Sequence, residues 1–544
     1  MKKGIIVFFS VLLTVIVFFN FILEDLVKNK LGDLLKTTFG DYYTLTFSEN
    51  YTRLSPSGFS FGFSDVDVTS DTTNQVMMSK FSPIFFTAKQ LEVNNISILN
   101  LLLNSEIDIA SFKLTDPELV FLITPKSVGP ATVEATDEES ANLISEIEAS
   151  AFLVEGGSAA FVFVNHQQDT LYAGNDLNVS LRKLNVLINE NGIKPEQITA
   201  EGFTLSLQDA LYNPSSSSYK YQMDAMHLDY EEALFSCSNI KLIPKQSLYA
   251  LTLDEQYQKT MFDISIGSFQ LKDIQLDSLK NTGALRASTG ILKDATFSLL
   301  RNANHPLAPE AKVLMHESLA NSSFPIDIDT LSIENALIDY RLIPKGKVKS
   351  GEVILRHING YLAGIYSEDD KKDTLKLFLE SDFLANGKFS FAADFPLKGV
   401  PQHSYQGHIS QLPFTDLNAI VTPMVNVQLN EGMVEDIYFT GVCSDRITSG
   451  QMIFDYDNLK MQVNSAKKEK RKWLVSDIGS LIVRHQSKKD KDGRSIAVDY
   501  RYERPTYQGH IGFYLNGLLD GMMKTLLPTP AYKAAIKGMT PSLD

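Results

Sequence analysis

One stretch of the sequence has the spacing of a hydrolase nucleophile: Gly58-Phe59-Ser60-Phe61-Gly62 fits Gly-x-Ser-x-Gly. That motif activates serine where a strand turns sharply into a helix and lifts the hydroxyl clear. Ser60 instead lies inside a Phe59/Phe61/Phe63 alternation that continues as strand, and no helical pattern follows it. The match is therefore read as strand, and no catalytic residue is assigned. The nine histidines stand singly, without His-Glu-x-x-His or a His/Cys cluster at ligand spacing, so no metal is expected. His403 and His408 are five apart, but Pro401 and the alternation that follows place them on a strand. The sequence contains neither a phosphate-cradling Gly-x-x-x-x-Gly-Lys nor a dinucleotide Gly-x-Gly-x-x-Gly turn, and no cofactor is implied. Cys237 and Cys443 form no Cys-x-x-Cys pair; they either join each other in an oxidising compartment or stay as two buried thiols.

Charge narrows the partners. The formal net charge is −15, from 65 acidic and 50 basic residues, so phosphate backbones are repelled and nucleic acid is excluded. The basic run Lys467-Lys468-Glu469-Lys470-Arg471-Lys472 is isolated and is read as an exposed hairpin loop.

Residues 4–23, GIIVFFSVLLTVIVFFNFIL, carry no charge. Twenty residues of α-helix rise about 30 Å, the thickness of a hydrocarbon core. No small-x-small cleavage site follows, so an uncleaved anchor is expected, with Ile5, Phe8, Leu12, Val15, Phe19 and Leu23 in the membrane. Lys2 and Lys3 before it keep the N-terminus cytoplasmic and export everything after Leu23. Leu23, Val27, Leu31, Leu34 and Leu35 then recur at helical spacing, an amphipathic continuation over 24–40.

From Tyr43 the period changes to two. Phe59, Phe61 and Phe63 alternate with small residues, then Val66 and Val68 continue with parity shifted, which predicts a turn or bulge near Ser64-Asp65. Similar runs are Leu177-Val179-Leu181, Phe203-Leu205-Leu207, Tyr219-Tyr221-Met223, Leu375-Leu377-Leu379 and Phe389-Phe391, each bounded by turn residues. Many strands without alternating long helices predict a mostly β, antiparallel fold. Helices are expected only near Glu138–Glu148, within Glu310–Leu319, over Thr415–Pro423 and near the C-terminus. Leu122-Ile123-Thr124-Pro125-Lys126, Leu242-Ile243-Pro244-Lys245 and Leu342-Ile343-Pro344-Lys345 are read as strand stops, with a repeated longer β unit as the alternative. With 544 residues the chain is too long for one compact core. The expected divisions are 1–23, 24–40, 41–130, 131–330, 331–510 and 511–544.

Two blocks carry a family resemblance. Ala88–Leu103 leads through Asn104-Ser105-Glu106-Ile107-Asp108-Ile109 to Phe112–Leu119, a strand, Leu-rich turn and strand ending about Pro117. Phe414–Val427 precedes Asn430–Phe439, then Gly450–Lys460, with Leu518-Leu519-Asp520-Gly521-Met522-Met523 beyond. This order resembles the AsmA-like (AsmA/TamB-type) envelope proteins of Gram-negative bacteria, in a Bacteroidetes-like form. The resemblance implies an inner-membrane protein whose periplasmic part is an elongated, curved antiparallel sheet forming a groove, with a few short helices. It implies phospholipid acyl chains as ligand, the inner membrane as platform, an outer-membrane or envelope protein as further partner, and no catalysis. Phe59, Phe61, Phe63, Leu91, Val93, Phe203, Leu205, Leu207, Leu375, Leu377 and Leu379 are the candidate groove residues. An ordinary sandwich core shows the same alternation, so trough and core stay open at this point. The rival reading is an assembly factor that binds envelope proteins through exposed strand edges without carrying lipid.

Overall fold

The computed structural model describes residues 43–55, 58–70, 84–97, 106–123, 146–164, 168–187, 198–367, 374–397, 402–463, 483–505 and 508–533. The expected membrane anchor and its amphipathic continuation, the basic run at 467–472, and most of the expected helix at Glu138–Glu148 lie outside these residues. The fold is mostly β, with few and short helices. The chain forms two compact units, Met1–Ser238 and Asn239–Asp544. Their division falls inside the 131–330 stretch.

In the first unit the strands are β1 (Tyr43–Thr46), β2 (Glu49–Ser55), β3 (Gly58–Ser70), β4 (Ile84–Ile96), β5 (Glu106–Thr115), β6 (Glu118–Ile123), β7 (Glu146–Val164), β8 (Gln168–Leu187), β9 (Ile198–Thr199), β10 (Gly202–Tyr212) and β11 (Tyr219–Asp229). β1 and β2 follow one another along one edge of β3, and β4 lies along the other. β5 and β6 behave as one strand kinked at Asp116-Pro117, because both keep a single register against β4 and against β7. β8 joins β7, and β10 and β11 follow in order. Among its described residues this unit contains no helix. Glu146, Ile147 and Glu148, expected at the end of a helix, instead open β7. Their partners Glu106, Ile107 and Asp108 on β5 supply the ladder that overrides local helical preference.

β12 (Leu234–Pro244) runs across the division. The second unit holds α1 (Leu248–Leu253), β13 (Thr260–Lys272), α2 (Leu276–Thr282), β14 (Leu285–Asn302), α3 (Met315–Ala320), β15 (Ile326–Ile343), β16 (Gly351–Tyr366), β17 (Thr374–Phe383), β18 (Gly387–Pro396) and β19 (His403–Pro413). A 3-10 turn (Phe414–Leu417), α4 (Asn418–Val425), β20 (Val427–Cys443), β21 (Ile447–Val463), β22 (Val498–Glu503) and α5 (His510–Leu526) complete it. β13 to β22 pair successively in chain order. The expected helices near 310–319, 415–423 and the C-terminus are present, whereas α1 and α2 were not among those expected. β12 and β15 end at Pro244 and Ile343, where the Pro-Lys stops were expected.

The sheet pairings are mixed, which corrects the antiparallel expectation. β5 and β6 run parallel to β7, and β14 runs parallel to β15. Parallel neighbours need a long crossover, and residues 124–145 and 303–325 supply the two connections. Apolar alternation records which face a side chain takes and carries no information on a neighbour's direction.

Candidate functional site

Directly opposed residues of neighbouring strands lie on the same face of a sheet. Applied to the first unit, the pairings give continuous rows. Phe61 opposes Val93, Val93 opposes Phe112, Phe112 opposes Phe152, Phe152 opposes Leu181, and Leu181 opposes Phe203. One step along the strands a second row runs Phe63, Leu91, Leu114, Val154, Val179, Leu205 and Leu228. A shorter row joins Phe59, Ile96, Ile109, Ala149 and Leu184. The opposite face, over the same strands, carries Glu92, Lys113, Asn94, Ser111, Ser180 and Thr204. The two long rows cross six and seven strands, roughly 24 Å or more at ~4.8 Å per strand, and the shorter row crosses five. From Phe59 to Val66 they extend about 20 Å along the strands at ~3.3 Å per residue. An exposed apolar patch of that extent marks a binding surface on a monomer, but Phe59, Phe63, Val93, Ile96 and Ala149 within the rows are buried and only the remainder is partly open.

Parity along each strand breaks, yet the apolar side holds together. Asp65 sits at φ 49° with its carboxylate accepting from Ser48 Oγ at 2.7 Å, and beyond it the buried positions shift from Phe63 to Val66. The parity shift that the sequence placed near Ser64-Asp65 is thus made by one left-handed residue, while the register against β4 and against β1 and β2 passes through it without a shift. Asp116 (φ 47°), Gly156 (φ 68°), Asp176 (φ 46°) and Asp209 (φ 48°) do the same on the neighbouring strands. The left-handed conformation suits glycine and is tolerated by Asp and Asn, whose short side chains bond locally. Gly156 N donates to Asn178 Oδ1 at 2.9 Å, and Gln208 bonds Asp176. A left-handed residue turns the later side chains to the other face, and its counterparts at the same level keep the rows in step, with register shifts there only between β7 and β8 and between β8 and β10. Beyond them a row of rings continues on the same side: Phe121, Phe161, Tyr172, Tyr212 and Tyr221. Phe121 and Phe161 stack at 4.9 Å, and Tyr212 and Tyr221 lie 5.7 Å apart and are about half exposed.

The candidate residues divide by what covers them. Phe59, Phe63 and Val93 are buried in small clusters with Leu54, Phe61 and Leu91. Phe203 and Leu205 are half-buried, as are Phe112, Phe152, Val154 and Leu181, while Leu207 is buried against Gly174. Sequence reasoning missed Phe112, Phe152 and Leu181, because membership of a row depends on cross-strand register.

In the second unit the corresponding face is closed. Leu375 is 3 % exposed and belongs to one core with Phe395, Tyr405, Phe439, Met452 and Phe454. Leu377 packs against that core and Leu379 against the Ala295/Ala336/Ile358 cluster. The cover is α5, whose Phe513 is fully buried. Gly517 and Gly521 bring the helix close: a Cβ on Gly517 would meet Thr448 Cγ2 at 2.8 Å, and one on Gly521 would meet Met452 Sδ at 3.1 Å. Leu515 and Leu519 point outward, 49 % and 42 % exposed. Beneath the helix Tyr500 Oη donates to Tyr405 Oη at 2.8 Å, and Tyr405 Oη shares a 2.6 Å bond with Thr448 Oγ1. Burial pushes both phenols well above their usual range.

Side chains with reactive chemistry have structural roles. Ser60 Oγ accepts the Asn95 backbone N–H at 2.9 Å in mid-strand, so no nucleophile elbow forms there. Cys237 and Cys443 are separate buried thiols, pushed up by burial to about 11 and about 12. His408 bonds Asp436 at 2.7 Å and stacks on Tyr438. Among the described residues no group of three or more His, Cys, Asp or Glu is placed to hold a metal. No described helix is long and apolar enough to cross a membrane. Comparison of the chain with protein-family models, curated proteins and solved structures finds no match.

Proposed function

We propose that this protein binds lipid acyl chains along the apolar face of its first unit, without catalysis, and serves phospholipid transport or outer-membrane lipid homeostasis. The observation that carries the reading is the contrast in cover. The apolar face of the second unit is sealed by α5, whereas in the first unit Phe112, Phe152, Leu181 and Phe203 are half-buried, without a helix over them among the described residues. Hydrocarbon is the ligand such a surface selects, since burial stabilises it by about 25 cal/mol per Å² and demands no polar partner. The charge-free stretch 4–23 supports a single-pass inner-membrane anchor with the N-terminus cytoplasmic and the strands periplasmic. The resemblance to AsmA-like proteins points the same way.

The test is lipid extraction and mass spectrometry on the full chain, purified gently. Phospholipid at about one molecule per chain or more is expected. Phe152→Glu with Leu181→Glu, on adjacent strands, is expected to remove it while the domain stays folded. A stable wild-type protein without lipid would sink the reading and turn the search to a protein partner at the strand edges.

A further inference from the structure

Two buried imidazoles join the helices of the second unit to its sheet. His316, on α3, is 2 % exposed, and His403, at the start of β19, is 1 % exposed. Their rings stand 5.3 Å apart, edge to face. Phe395 of β18 contacts both, at 5.5 Å and 4.8 Å. His403 Nε2 is hydrogen-bonded to Tyr514 Oη of α5 at 2.6 Å. Two helices thus reach the sheet through one pair of titratable rings.

We propose that this pair is an acid-sensitive latch, and that protonation loosens α3 and α5 from the sheet and uncovers Tyr405, Phe439, Met452 and Tyr500. Two imidazolium ions this close repel each other, and a charge in an aromatic cage loses its hydration. Tyr405 of β19, Cys443 of β20 and Tyr514 of α5 are uncharged in this range, their protons held by burial. Arg504, just before α5, adds a positive charge over the Phe513 ring. Glu317 of α3 is the neighbouring carboxylate, and its Oε2 is engaged by the Leu314 N–H at 2.8 Å. Burial holds the His316 imidazole below its ordinary range, with Glu317 opposing in part. The loosened arrangement therefore binds protons that the closed one resists. Closure is fully present above the ordinary imidazole range and is lost as pH falls through it. The device stands whether or not the open face carries lipid.

The chain contains its own reporters. Cys443, fully buried, opposes His403 across β19 and β20, while Cys237 is buried in the other unit. The full chain is labelled with N-ethylmaleimide, and peptide mass spectrometry gives the ratio of Cys443 to Cys237 modification. The ratio cancels the pH dependence of thiol reactivity. Between about pH 7.5 and about pH 5.5 it is expected to rise about fivefold or more, and to stay level in His316→Phe. A level ratio in the wild type overturns the latch, as does an equal rise in the variant. Should His316→Phe not fold, His316→Gln takes its place.

Discussion

Phe112 and Phe152 stack face to face across a parallel strand pair, with ring centroids 5.1 Å apart and planes inclined by 1°. Parallel strands place opposed side chains in step, so two rings here lie flat over one another instead of interleaving. The pair is half-buried, at the centre of the apolar rows. A stacked pair contributes about 0.5–1.5 kcal/mol beyond its area. A double-mutant cycle with Phe112→Ala and Phe152→Ala, read by thermal unfolding, is expected to return a coupling of that size. A coupling near zero would mean that the rings meet without holding the sheet.

Asn335 tests the bulges. It stands at φ 55° in β15, its Nδ2 donates to Asp294 Oδ1 at 2.6 Å, and its own N–H donates to Asn359 Oδ1 at 3.0 Å. Asn335→Gly keeps the conformation and loses one exposed bond, so a change below about 1 kcal/mol is expected. Asn335→Val forces a β-branched side chain into the left-handed region and is expected to cost about 2 kcal/mol or more. Urea unfolding that ranks the two variants equally would contradict the structural role of the bulge.

Gly441 and Gly450 oppose each other under the Tyr405–Tyr500 hydroxyls. A Cβ on Gly450 would come within 2.0 Å of the Thr440 carbonyl oxygen, and one on Gly441 within 2.4 Å of Tyr500 Oη. Backbone cannot yield as a flexible side chain can, so Gly450→Ala is expected to destabilise the second unit by about 2–3 kcal/mol. Thermal unfolding of the variant checks this, and an unchanged midpoint would contradict the close approach.

Much of the strand architecture was legible in the sequence, because two-residue periodicity reports faces directly. Phe59, Phe61 and Phe63 were readable as one face, and the parity shift after them pointed to the left-handed backbone at Asp65. Two things were not readable. Whether Leu375 lines a trough or a core depends on a cluster that takes in Phe513 of α5, more than a hundred residues away. A helix near the C-terminus was visible, but its phase was set by Gly517 and Gly521, the small residues that let it approach. The row Phe112–Phe152–Leu181 depends on parallel pairing across a crossover, and nothing local in those residues encodes it. Short helices such as α1, six residues long and capped by Ser247 Oγ accepting from Ala250 N at 3.2 Å, were lost among turn signals.

The central claim is that hydrocarbon lies on one side of the first unit's strands. Site-specific photo-crosslinking in cells tests it most directly, with benzoylphenylalanine placed at Phe112, Phe152 or Phe203 on one face and at Ser111, Leu153 or Thr204 on the other. Phospholipid adducts are expected at the first three positions and none at the second three. Adducts to protein alone at Phe112, Phe152 and Phe203, or lipid adducts equal on both faces, would contradict it.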